Sequence, residues 1–136
     1  MEILDAKRVA ERLLSNVTPA VPTAYEGNDF VPPSDQMYQS CFLKINTPTD
    51  PVFGAGYHRE NVVFVVSILD IKGQGTANAL ARAELIRNTF YKGRTFIEGT
   101  TRIHILETAQ IAGTSILTDR ILVPVLIPLT VEVYRD

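Results

Sequence analysis

Few residue groups in this chain have the types and spacing to do chemistry. Gly73-Gln74-Gly75 lies between an apolar run ending at Ile71 and a helical pattern beginning near Thr76. A strand–turn–helix of that kind can cradle a phosphate on backbone N–H groups. The dinucleotide fingerprint needs a third small residue at a set offset, and Asn78 stands there. No Gly-Lys-Ser/Thr follows, as a P-loop would require. The two glycines are therefore expected to serve the backbone of a turn. A Ser–His–Asp triad can be drawn from Ser115, His104 and Asp119, but no nucleophile elbow or spacing supports it. His58 with Glu60 offers two ligand types in a loop, short of a metal site. Cys41 is the only cysteine, so no internal disulfide can form, and two distant histidines complete no zinc pattern. No catalytic residue, metal or cofactor is expected, and the chain does not read as an enzyme.

The composition excludes further classes. Thirteen Lys+Arg face fifteen Asp+Glu, a formal net charge of −2, so the basic surface of a sequence-independent DNA binder is missing. Basic and aromatic residues do not interleave as they do on RNA-binding sheets. Hydrophobic residues make up 46% of the chain, enough for a packed core rather than disorder. At 136 residues, one domain spanning 1–136 is expected to fold without staples. MEILDAKRVAERLL lacks the apolar centre of a signal peptide, and no apolar run reaches the roughly 18 residues of a membrane span. A lone thiol fits a reducing, cytoplasmic origin.

The elements that would position these residues follow from periodicity. Ile3, Ala6, Ala10, Leu13 and Val17 recur at helical spacing, predicting an amphipathic helix over Ile3 to Asn16. Thr18 to Ser34 contains Pro19, Pro22, Pro32 and Pro33 and cannot be regular. Its Tyr25 and Phe30 predict a loop pinned either onto its own domain or onto a neighbouring subunit. Gln39 to Asn46 alternates as a strand, with Cys41, Leu43 and Ile45 on one face, so Cys41 is expected to be buried and unpaired. Thr47 to Arg59 reads as a long hairpin loop. Asn61 to Ile71 is apolar on both faces: Val62, Phe64, Val66 and Ile68 on one, Val63, Val65, Leu69 and Ile71 on the other. A strand with one solvated face should alternate, so the second face is expected to be covered too, by a helix, by another sheet or by a second copy of the chain, with one set or the other in a subunit contact. Thr76, a candidate N-cap, opens a helix to Tyr91 carrying Ala79, Ala83, Ile86 and Phe90, with Gly93 as its stop. Thr101 to Thr108 is a strand, Gln110 to Asp119 a loop, and Arg120 to Arg135 a long strand in strict alternation. Pro124 and Pro128 in it point to an edge or bulges. The fold class expected is α+β, two helices packed on one face of a four-stranded, mostly antiparallel sheet, in the order α-β-β-α-β-β.

Three stretches carry a family likeness: AYEGNDFVPP before the strand QSCFLKIN, DIKGQGTANALARAELIRNTF, and the terminal ILVPVLIPLTVEVY. Their order and spacing resemble the tail-terminator, or tail-completion, proteins of long-tailed phages and prophages, such as the minor tail protein U family of lambda-like phages. The two prolines of the last strand depart from the plain strand expected there. The resemblance implies no catalytic residues and no cofactor. It implies a virion structural protein, assembled in the host cytoplasm, that forms a homo-oligomeric ring, expected to be a hexamer. The ring would cap the tail tube, end its polymerisation and join tail to head. Its partners would be itself, the major tail tube protein and a head–tail connector, with DNA passing through non-specifically and no membrane involved. The interface residues expected on this reading are Tyr25, Phe30, Val62, Phe64, Val66 and Ile68. A neck or head-completion ring is the rival within virion proteins. A small phosphate-ligand-binding regulatory domain using Gly73-Gln74-Gly75 is the rival of another class.

Overall fold

A computed structural model describes residues 2–54 and 56–134. Helix α1 spans Glu2–Ser15 and buries Ala6, Val9, Ala10 and Leu14, the apolar stripe of its sequence. On its other side Lys7 and Glu11 form an ion pair one turn apart at 3.0 Å. Helix α2 spans Ala77–Thr89 and buries Ala79, Ala83 and Ile86. Its small alanines let the backbone approach the sheet. Thr76 occupies the cap position, and its carbonyl accepts from the Leu80 N–H, but its side chain makes no capping hydrogen bond.

The sheet corrects the expected four-stranded architecture and its α-β-β-α-β-β order. Eight strands form one curled, half-barrel sheet: β1 (Thr23–Tyr25), β2 (Tyr38–Ile45), β3 (Tyr57–Ile71), β4 (Thr95–Glu98), β5 (Thr101–His104), β6 (Gln110–Ile111), β7 (Ser115–Ile116) and β8 (Arg120–Tyr134). Their spatial order is β1-β2-β3-β8-β5-β4, with β6 and β7 also on β8. All pairings are antiparallel except β1 with β2. Arg135, the expected end of the last strand, lies outside the described residues.

The extra strands have a physical cause. One edge of β8 is paired with β3 along its whole length, from Tyr57↔Tyr134 to Ile71↔Arg120. The backbone groups on its other edge need partners too. Three short strands supply them in succession: β5 at 130–132, β6 at 125–126 and β7 at 121–122. Pro124 and Pro128 are accommodated on this side. The Pro124 carbonyl accepts from the Ala112 N–H at 2.9 Å, so its missing donor faces the same edge. The two-residue period puts Pro128 there as well. Pro128 falls in the break between β5 and β6, and Pro124 between β6 and β7. The prolines therefore sit inside the sheet, each where the ladder is already interrupted.

Both helices pack on one face of the sheet. The core there includes Val62, Phe64, Val66 and Ile68 of β3, paired side by side with Leu129, Ile127, Val125 and Val123 of β8. The Phe64 and Phe90 rings meet at 5.8 Å. Cys41 lies on this face as a free thiol, 3% exposed, and burial pushes its pKa up to about 12. The reactive form is the thiolate. Native protein is therefore expected to react with a thiol reagent at pH 8 far more slowly than the unfolded chain. Equal rates would show that β2 turns its other face inward.

Candidate functional site

Alternation puts the second apolar set of β3 on the face away from the helices. Val63, Val65, Ser67 and Leu69 lie there, in register with Pro128, Leu126, Pro124 and Leu122 of β8. On the other side Phe42 of β2 pairs with Val65. Phe42 is 44% exposed, and Val63, Leu69, Leu122 and Leu126 are half-buried. This face is an apolar strip running across three strands.

A polar cluster closes one end of the strip. Glu132 accepts from the Tyr57 hydroxyl at 3.1 Å and from His104 Nε2 at 2.9 Å. A carboxylate can only accept, so His104 Nε2 donates, and in the neutral ring Nδ1 accepts from Thr95 Oγ1 at 3.0 Å. Arg59 Nε donates to the Tyr57 oxygen at 2.9 Å. The hydrogen bond from His104, and after it that from Tyr57, hold the Glu132 carboxyl below its usual range.

The proline-rich segment closes the other end. Arg120 donates to the carbonyls of Gln36, at 2.6 Å, and of Pro33, and lies 5.0 Å above the Tyr38 ring. Proline-rich backbone cannot join a regular ladder, so an arginine fork ties its carbonyls down. Phe30 meets Tyr38 at 5.7 Å and so lies at this end of the strip. Tyr25 goes elsewhere. Its ring packs against the core cluster, and burial raises its phenol pKa.

Of the interface residues expected from sequence, Phe30 alone lies by the strip. Val62, Phe64, Val66 and Ile68 are buried under the helices. The strip instead holds the alternative set: Val63 and Leu69 are half-buried, and Val65 between them is buried, 7% exposed. Phe42, Leu122 and Leu126 join it, and the apolar even-numbered residues of the last strand were the available signal for the last two.

The drawn triad does not assemble. His104 stands opposite Thr130 and Ser115 opposite Leu122, eight residues apart along β8, which is about 27 Å. His58 and Glu60 pair with each other at 2.9 Å. Among the described residues, no group of three or more His, Cys, Asp or Glu could hold a metal. No described helix is long and apolar enough to cross a membrane. Gly73 and Gly75 have φ of 97° and 77°, a region that side chains disfavour, so the turn itself requires both glycines.

Comparison with known proteins gives three results. No curated protein matches the chain. A solved structure superposes with a TM-score of 0.74 over 98% of each chain at 19% identity, a likeness of fold. A family model described as phage tail terminator protein matches residues 3–129. Matched over nearly its whole length, the chain belongs to the phage tail terminator protein family, a family of structural tail-completion proteins.

Proposed function

We propose that the chain, as one domain, forms a closed homo-oligomeric ring, a hexamer, on the end of the tail tube. The ring ends tube polymerisation and joins tail to head, and it is assembled in the host cytoplasm. Family membership supports the tail-completion role. The observation that carries the ring is the apolar strip of Phe42, Val63, Val65, Leu69, Leu122 and Leu126, which takes part of an adjacent copy. A head-to-tail contact that closes on itself leaves two unlike faces. One complements the last ring of the major tail tube protein. The other gives that protein no template and receives a head–tail connector. Exposed Val52 and Phe53, between β2 and β3, add apolar surface for such a face. DNA crosses the opening with contacts only to its backbone charge.

The test combines particle mass by light scattering with tail length in phage lacking the gene. Overlong tails, shortened to normal by complementation, and a mass of several chains on tube ends are expected. Tails of normal length without the protein would overturn the reading. Phe30→Ala is expected to weaken assembly more than Asn28→Ala, because Phe30 and Tyr38 wall one end of the strip. If its melting temperature falls sharply instead, Phe30 belongs to the domain's own stability.

A further inference from the structure

Arg82 of α2 is only 6% exposed, yet both of its hydrogen-bond acceptors are neutral. Its Nε donates to Gln39 Oε1 at 3.2 Å and its Nη1 to the Pro19 carbonyl. Gln39 is itself 1% exposed. It is fixed in place, because its Nε2 donates to Thr23 Oγ1 at 3.1 Å, and that hydroxyl donates to the Val21 carbonyl at 3.0 Å. Among the described residues no carboxylate pairs with Arg82. A guanidinium keeps its charge at any ordinary pH and has five N–H donors, of which two are used here. A charge so placed is costly without an opposite charge, and burial lowers the pKa of Arg82 accordingly.

A small recess adjoins this group. Its volume is about 70 Å³, and its walls include Arg82, Gln39, Thr23, Tyr25 and Ser15. That space holds a chloride ion or a one-carbon carboxylate, and it is too small for a nucleotide. We propose that the recess beside Arg82 binds a small monovalent anion, chloride or formate, which supplies the missing counter-charge between α2, β2 and the segment at Pro19. The site stands apart from the apolar strip and does not depend on ring formation.

Thermal unfolding of the whole chain tests this at fixed ionic strength, with sodium gluconate replaced stepwise by chloride or formate. Gluconate is too large for the recess. A saturable rise in melting temperature is expected with chloride and formate. Arg82→Met is expected to abolish it. Gln39→Glu places a carboxylate on Arg82 Nε at unchanged side-chain size. The Thr23 hydroxyl, which accepts from Gln39 Nε2, turns from the Val21 carbonyl to donate to that carboxylate, so the variant should fold, and it should weaken the apparent chloride affinity at least tenfold. The Gln39→Glu result decides the matter if Arg82→Met does not fold. No saturable rise in the parent chain, or an undiminished one in Gln39→Glu, would overturn the proposal.

Discussion

Phe64→Ala is expected to destabilise the chain by about 3–5 kcal/mol, the range for emptying a buried phenylalanine site. Phe64 is 1% exposed, at the centre of the longest strand pairing. It stands between Leu43 on β2 and Ile127 on β8, and its ring meets Phe90 beyond the end of α2. Truncation therefore leaves a cavity bounded by three strands and a helix end, where regular pairing resists collapse. Domains of this size are stable by roughly 5–15 kcal/mol, so a large share of folding stability would be lost. Urea unfolding monitored by circular dichroism measures it. A loss below about 1 kcal/mol would mean that this face of β3 is not the core.

The opposite result is expected one strand away. Phe42→Glu should leave the monomer folded and remove assembly. Phe42 is half-exposed and on the face without helices, so a carboxylate there can remain hydrated in the free chain. In a ring it would be taken from water against the apolar residues of another copy. The few hot-spot residues at the centre of an interface cost about 2 kcal/mol or more when truncated, which is about 30-fold in each contact. A closed ring repeats that loss at every contact. Light scattering should show only monomer, with a melting temperature within a few degrees of the parent. Rings of normal mass in Phe42→Glu would remove the strip from the interface.

These two residues also mark how far the sequence could be read. The last strand was legible because seven apolar residues alternate without a gap from Ile121 to Val133, and all seven are buried. The two helices were legible to within about two residues at each end: α1 carries a clear apolar stripe, and α2 is bracketed by the Gly75-Thr76 turn and Gly93 and buries Ala79, Ala83 and Ile86. The strands β1, β6 and β7 have two or three residues each, too few for any period, and they exist only because a longer strand offers an unpaired edge. With β4, whose four residues TFIE were also not read as a strand, they are why a sheet of eight strands read as four. β3 posed a different problem. With both faces apolar, nothing inside that strand distinguishes inside from outside. Its register with β8 decides the matter, because Val62 sits beside Leu129 and Val63 beside Pro128. Registers are set by partners, so Val62, Phe64, Val66 and Ile68 could be named as a set but not assigned to a side.

The positions of Pro124 and Pro128 carry a consequence for how the chain finds its pairing. A strand of uniform alternation can slide by two residues and still show the same face to the core. β8, 15 residues long, has many such near-equivalent alignments with its short neighbours. The prolines remove that degeneracy. Moved by two residues, β6 or the end of β5 would meet a proline nitrogen where a donor is needed, and a backbone acceptor would go unmatched. Only one alignment places both prolines in the gaps between strands. They act as two fixed marks on an otherwise repetitive rule, selecting one alignment among many during folding through the donors they lack.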